Sequence, residues 1–501
     1  MTSHSSPTTP SHRTAWLIVL CACAVHFIMG TTLAWTNLPM NDEGFYGVPA
    51  HFLSSTGALR DPVLEPVGFP VLRGVDQFFY WMAPMGMVLQ AGAFKVFGFG
   101  LHVQRELSVI CGTGAVLLWF LALRRLIPER VAALGALLLA IDFAFLTVSS
   151  RGRSDLMSLF FAMAALAAYL HWRERRLALA LAAANIACAL SGMIHPNGGL
   201  AAVAALLALV LCLDRARLRW SYLAIVAACY GVLAMGWGLW VAKAPDLFET
   251  QFFGNVAGRL GQHAMTPVWL VRGEMMRYWS AYALENAHGA KLVKVLVPLA
   301  LVAATLYCVF SSELRRQARV LLWMFGAVSL TLVLLEGSKQ GWYLVHVLPY
   351  LAAFAALSIH HLWQSGTAIP RMSAVAQACC LLIGLASVAY TASGRNLQRL
   401  YTPMESYLNS HLGPGEVVFG GSEVYFGLDC HTCLRDDANL GALTHRQARL
   451  IVFNGDYTQH LDELRRKNPE VYQNIEKSLG GEYREVFHNA NYQVMERVPS
   501  Q

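Results

Sequence analysis

Residues 15–46 read AWLIVLCACAVHFIMGTTLAW followed by TNLPMNDEGFY. The first part, Ala15 to Trp35, carries no Asp, Glu, Lys or Arg. It reaches the roughly 20 apolar residues that cross a bilayer core of about 30 Å. It has no strongly basic start and is longer than a usual signal core, so it reads as a retained span. The second part turns polar at once and holds an acidic pair, Asp42-Glu43, ahead of Gly44-Phe45-Tyr46. Carboxylates are scarce here, 31 Asp and Glu in 501 residues. A second acidic residue, Asp155, lies within Ser150-Arg151-Gly152-Arg153-Ser154-Asp155-Leu156-Met157, again at the edge of an apolar run.

Working outward, the chain is 56% hydrophobic and 14% charged, whereas an ordinary soluble domain carries about 25% charged residues. Further apolar runs cover approximately 105–124, 131–149, 155–172, 177–194, 198–213, 220–242, 292–310, 319–335, 342–362 and 373–392. Continuous runs exclude a β-barrel, whose strands alternate in short segments. The fold class is an α-helical polytopic membrane protein with about 11 transmembrane helices over residues 14–392. Residues 36–104 form a long Gly-, Pro- and aromatic-rich segment, and 80–99 read as a helix lying at the interface or packed on the bundle. The Ser/Thr/Pro-rich start, residues 1–13, reads as disordered.

The charges orient the bundle. Arg124-Arg125 with Arg130, Arg173 to Arg176, Arg215 to Arg219, Arg315-Arg316 with Arg319, and Arg371 recur in alternate loops. The positive-inside rule puts these loops in the cytoplasm. The net charge of +7 follows from those loops, so it does not point to nucleic acid. Asp42-Glu43, the turn from Arg151 to Asp155, His195-Pro196-Asn197-Gly198, the loop 243–290 and the segment Glu336 to Tyr343 then share the external side. Arg151, Arg153 and Lys339 break the charge rule there, which suggests that something negative holds them.

The last hundred residues change character. Glu416 to Phe419, Arg449 to Phe453 and Tyr492 to Glu496 read as short strands, and Leu461 to Lys467 and Pro469 to Leu479 as helices. Residues 393–501 are therefore a small soluble α/β domain, extracytoplasmic by the parity of the spans. Cys430-His431-Thr432-Cys433 lies in it. An oxidising compartment permits a disulfide between the two cysteines; a redox or zinc role, the alternative, would need further partners that the sequence does not name. The other cysteines are mostly small apolar residues inside the spans.

Three segments together resemble a known family. Asp42-Glu43-Gly44-Phe45-Tyr46 is similar to the acidic-aromatic opening of the first external loop of the C-type (GT-C) membrane glycosyltransferases. Arg153-Ser154-Asp155 is similar to their second acidic motif, and Lys339 to Tyr343 with Leu348-Pro349 to their Lys-x-x-x-Tyr segment. The branch resembled is the protein O-mannosyltransferase and aminoarabinose lipid A transferase (glycosyltransferase 39-like) group, over roughly residues 10–365. The resemblance implies a hexosyl- or pentosyltransferase that takes a sugar from a polyprenyl-phosphate carrier. The acceptor, a lipid, glycan or protein, would be served on the external face of a bacterial inner membrane. It implies no cofactor besides that donor and no metal.

Inverting transfer needs a base for the acceptor hydroxyl and stabilisation of the departing phosphate. Asp42 is the expected base; its plain alternative is a helix cap. Glu43 would orient the acceptor or bond backbone, and Asp155 would bind acceptor or position the catalytic loop. Lys339, Tyr343, Arg153 and His195 are the candidates for the donor phosphate. The resemblance puts a phosphate-binding Lys at Lys339, whose alternative is a snorkelling side chain. Among the Arg and aromatic residues of loop 243–290, Arg259 is the candidate. Two other classes of function compete: a lipid-linked-sugar transporter or flippase, which would place charges at the midplane, and a non-catalytic lipid-binding subunit.

Overall fold

The computed structural model describes residues 10–261, 266–284 and 295–498. Helices α1 (Pro10–Thr36), α2 (Asn41–Thr56), α3 (Met85–Phe97), α4 (Leu101–Leu123), α5 (Glu129–Ala140), α6 (Phe143–Ser149), α7 (Asp155–Trp172), α8 (Leu177–Ile194), α9 (Pro196–Asp214) and α10 (Ser221–Val241) build the first half. After α11 (Gly254–Gly261) and α12 (Pro267–Trp279) come α13 (Leu296–Phe310), α14 (Arg319–Leu335), α15 (Leu348–Gln364) and α16 (Ala368–Ser393). Among the described residues seven helices are long and apolar enough to cross a bilayer, and eight if the bent pair α5–α6 is one span. The expected span count of about eleven is reached only by adding shorter apolar helices, since α13 has 15 residues, α14 has 17 and α15 has 17.

Two further departures have local causes. The run 131–149 is broken by 60° between α5 and α6. Asp142 stands at the break, where it caps α6 through the Phe145 amide and accepts from Tyr282 Oη at 2.7 Å. The polar side chain inside an apolar run needs these partners, and supplying them ends the helix. Helix α1 starts at Pro10, inside the stretch read as disordered; residues 1–9 lie outside the described residues. The helix expected at 80–99 is α3, packed on α2, α4 and α8 as one of the two alternatives required.

Behind α17 (Thr402–His411) the chain forms a five-stranded sheet of order β2-β1-β3-β5-β4. The strands are β1 (Val418–Phe419), β2 (Leu434–Arg435), β3 (Leu450–Phe453), β4 (Tyr483–His488) and β5 (Gln493–Arg497). Helices α18 (Gly455–Lys467) and α19 (Pro469–Glu482) pack beside them. Strands β1, β3 and β5 and both helices fall where the alternation placed them. Cys430 and Cys433 are joined by a disulfide.

This domain docks on the polar segment that follows α2. Leu64 pairs in parallel with Asp436, so residues 63–65 cover the sheet edge at β2, which leaves that edge no free ladder to offer another chain. Glu65 at the seam is paired with Arg446 at 2.7 Å, but three other buried carboxyls there, Glu423, Asp61 and Asp436, make no ion pair among the described residues. Glu423 is pushed up to about 8, first by burial and further by Asp436. Asp61 is raised to about 7, again by burial with Asp436 adding to it. Asp436 itself, also raised by burial, accepts from Ser422 N at 2.9 Å, Ser422 Oγ at 2.6 Å and Tyr457 Oη at 2.9 Å. One contact reaches α2 directly: Ser422 N donates to Asn41 Oδ1 at 3.1 Å across 381 residues of sequence. A Cβ on Gly44 would fall 2.1 Å from the Ser422 carbonyl carbon, so only glycine permits this approach.

Candidate active site

The acidic pair divides its labour at the first turn of α2. Helix α2 has the capping-box arrangement in which Glu43, not Asp42, satisfies the backbone: its carboxylate accepts from Met40 N at 3.0 Å. Glu43 is fully buried. Its other contacts are Arg105 Nε and a second guanidinium nitrogen, both at 2.7 Å, and Gly152 N at 2.7 Å. Burial alone would raise this carboxyl, but the Arg105 guanidinium outweighs it and holds Glu43 below the usual carboxylate range. With every lone pair engaged, Glu43 has no direction left from which to meet an acceptor; of the two expected roles, backbone bonding is the one its geometry serves.

Arg105 was missed in the sequence reading. It also donates to the carbonyls of Ala34, Asn37 and Leu38 at 2.7, 2.9 and 2.9 Å. One guanidinium thus ties the end of α1, the turn before α2 and the Glu43 carboxylate to α4. The available signal was an arginine inside the first turns of an apolar run, where an unpaired charge is expensive.

Asp42 faces the other way. Its side chain is 46% exposed. It forms an ion pair with Arg153, which is buried and which donates through Nε to Asp155 Oδ2 at 2.8 Å. Asp155, at the first position of α7, is fully buried. His195 Nε2 lies 3.9 Å from its other oxygen, and the His195 and Tyr343 rings are 5.2 Å apart. Asp42, Arg153, Asp155, His195 and Tyr343 therefore form one connected set, drawn from α2, the 150–154 turn, the α8–α9 turn and the segment before α15. Five positions up to 301 residues apart in the chain meet at the same end of the bundle, opposite the arginine-rich loops.

A cavity of about 610 Å³ lies beside this set. Its walls include Thr147, Trp269, Arg272, Ser338, Lys339 and Trp342. Arg153 is the link, its guanidinium carbon 5.2 Å from the centre of the Trp342 ring, a cation–π distance. Lys339 is almost fully buried and adopts a positive φ of 52°. Its ammonium contacts the carbonyls of Leu332 and Val333 at the end of α14, and lies 3.1 Å from Glu274 Oε1. This is not a side chain stretching out to lipid headgroups. Its stem crosses α12 at Gly273, where a Cβ would come within 2.7 Å of Lys339 Cγ. Arg277 supports the same floor, bonded to Glu274 and Glu336 at 3.1 Å each.

The 243–290 loop supplies a further cation to the cavity. Arg272, on α12, lines the cavity. Arg259, the candidate named from the sequence, sits on α11, and its side chain lies outside the described residues, as do residues 262–265 and 285–290 of the loop. Among the described residues no group of three or more His, Cys, Asp or Glu is arranged to hold a metal ion.

The arrangement sets an exposed carboxylate and a cation-lined cavity on two sides of Arg153 and Trp342. An anion drawn in by Arg272 and by the charge of Lys339, once the ammonium leaves Glu274, would be stabilised by charge-assisted hydrogen bonds, and a hydroxyl approaching Asp42 would find a carboxylate beside it.

Comparison with known proteins bears on the fold that carries this arrangement. Residues 82–240 match the family model described as dolichyl-phosphate-mannose-protein mannosyltransferase. A search of curated protein sequences finds no significant match. Among solved structures the chain is similar to ArnT from Cupriavidus metallidurans bound to undecaprenyl phosphate. The TM-score is 0.62 at 15% identity, covering 98% of this chain and 99% of that one. The apo state of the same protein gives 0.57 at 15% identity over 97% and 99%. The Archaeoglobus fulgidus oligosaccharyltransferase tethered with an acceptor peptide gives 0.50 at 13% identity, over 97% of this chain and 74% of that one. The chain therefore carries the fold of the GT-C glycosyltransferases and resembles the branch to which its three loop motifs pointed.

Proposed function

We propose that the protein transfers a sugar from a polyprenyl-phosphate-linked donor to an acceptor on the extracytoplasmic face of a bacterial inner membrane. The observation that carries this reading is the juxtaposition, through Arg153 and Trp342, of an accessible carboxylate with a cavity walled by Lys339 and Arg272. The bound undecaprenyl phosphate of the C. metallidurans relative supports a lipid phosphate as the cavity's occupant.

In this reading Asp42 takes the proton of the acceptor hydroxyl as the oxygen attacks the anomeric carbon. The glycosidic bond to phosphate breaks on the opposite face of the sugar. Lys339 and Arg272 hold the charge that grows on the departing phosphate. Arg153 fixes the Asp42 carboxylate, and Asp155 with His195 fixes Arg153. Tyr343 closes the wall behind His195. Glu43 and Arg105 hold the loop that presents Asp42. The donor itself serves as the only cofactor, and the acceptor is a lipid, a glycan or a protein.

The deciding experiment is mass spectrometry of envelope lipids, glycans and proteins from cells with and without the gene. Loss of a hexose- or pentose-sized mass from one class names sugar and acceptor together. Unchanged masses in all three classes would remove the transferase reading.

A further inference from the structure

The wedge between α8, α9 and α10 holds a second void of about 710 Å³, at the other end of the bundle from Lys339. Leu181, Val203, Leu207, Val210 and Val226 are among its walls, which are apolar almost throughout. Its shape follows from how α10 is attached. Cys229 Sγ reaches the Ala182 carbonyl of α8 at 3.5 Å, and the far end of α10 is held by Tyr80 Oη on the Trp240 carbonyl at 2.9 Å. No residue of α10 is buried. The helix leans on α8 along one line and stands clear of α9 below it.

The mouth of the wedge has a distinct chemistry. Arg219 lines it, and Trp220 beside it is 89% exposed. Two neighbouring arginines are engaged elsewhere: Arg173 and Arg217 both bind Asp214, at 2.7 and 2.8 Å. Arg219 has no ion pair among the described residues. An apolar groove facing hydrocarbon fills with chain, because an empty wall forfeits its dispersion contacts. A guanidinium with no carboxylate at the headgroup level favours a phosphate, and tryptophan favours the same depth.

We propose that this wedge binds an anionic glycerophospholipid, with an acyl chain against α8, α9 and α10 and the headgroup phosphate on Arg219. The site is separate from the donor cavity, since its arginine belongs to the loop at the opposite end of the bundle. A zwitterionic lipid would fill the groove as well, but its own ammonium competes for the phosphate, so Arg219 supplies the selectivity.

The test uses the full-length protein in nanodiscs of equal parts phosphatidylglycerol and phosphatidylcholine, released for native mass spectrometry. The wild type should keep phosphatidylglycerol in preference to phosphatidylcholine. Arg219→Gln should reduce that preference at least fivefold, and Arg175→Gln, on another basic loop, should leave it intact. Leu207→Trp, which fills the groove, should reduce retention of both lipids; its fold is checked by an unchanged elution volume. Equal retention of the two lipids by the wild type, or an Arg219→Gln profile like the wild type's, would overturn the proposal. So would displacement of the retained lipid by added undecaprenyl phosphate, which would make the wedge a donor site.

Discussion

Two groups of buried carboxyls lie on either side of α2, and their charge states are opposite. On the bundle side, Glu43 and Asp155 each face an arginine, Arg105 and Arg153, and Glu43 is held ionised. On the side of the sheet domain, Glu423, Asp61 and Asp436 gather around one another with no ion pair among the described residues, and burial shifts them toward the neutral form. Carboxyls are held in the charged form where they tie a loop to the bundle, and shifted toward the protonated form where two pieces of the chain meet. What differs is the partner: an arginine repays desolvation, and a hydroxyl or amide only reduces it.

The sharpest way to break the comparison is at its one exposed member. Asp42→Asn should lower transfer by about 10²- to 10⁴-fold, the range of a lost general base. Its side chain is half in solvent, so the variant should stay folded and inserted; normal transfer would remove Asp42 from the mechanism. Next in size is Arg105→Met, which strands Glu43 in a dry site. Removing one member of a buried pair costs about 3–5 kcal/mol, read as loss of thermal stability in detergent; the double change Arg105→Met with Glu43→Gln should recover much of it. A variant Arg105→Met as stable as the wild type would show that the pair does not hold the loop.

Lys339→Met probes the cavity floor. A charge-assisted hydrogen bond contributes about 1.5–3 kcal/mol, so binding of undecaprenyl phosphate should weaken about ten- to hundredfold in a titration, with little loss of fold if Glu274 is changed to Gln alongside. Unaltered affinity would place the phosphate elsewhere.

The smallest effect is the pH dependence of the seam. Between about pH 6.5 and 8 Glu423 and Asp61 are ionised in the unfolded chain but partly protonated in the folded one, given folded values of about 8 and 7. The folded state then binds more protons, so stability falls as pH rises. His51, lowered to about 4 by burial and by His431, is still partly charged in the unfolded chain near its ordinary 6.5 and opposes the trend there. Above about pH 7.5 it is neutral in both states and the carboxyls set the slope. Hydrogen exchange of residues 418–436 should speed up from pH 6.5 to 8.5 beyond its intrinsic base dependence, and Glu423→Gln should flatten that excess. An excess unchanged by Glu423→Gln would assign the trend to other groups.

The bundle was legible because apolar runs and arginine loops are written in order along the chain. Asp42, Arg153, Asp155, His195, Lys339 and Tyr343 were legible as charges and rings at the edges of those runs. Partners were not. Nothing in the order of residues says that Glu43 meets Arg105 rather than an acceptor, or that Arg153 has Trp342 beneath it. The α5–α6 break was hidden because Asp142 interrupts its apolar run only once, and its partner Tyr282 comes from 140 residues away. Arg272 was hidden among equally basic neighbours, since α12 turns it toward the cavity and the loop's composition does not.

The contact of Ser422 with Asn41 and Gly44 has a consequence for biosynthesis. Helix α2 is made well before the surface that clamps it, which follows 381 residues later in the chain. A ribosome that stalls before the sheet domain leaves Asp42 on an unbraced turn in a bundle that is already inserted. Assembly of this contact thus waits on synthesis of the sheet domain, and a product interrupted before it would present Asp42 without that brace.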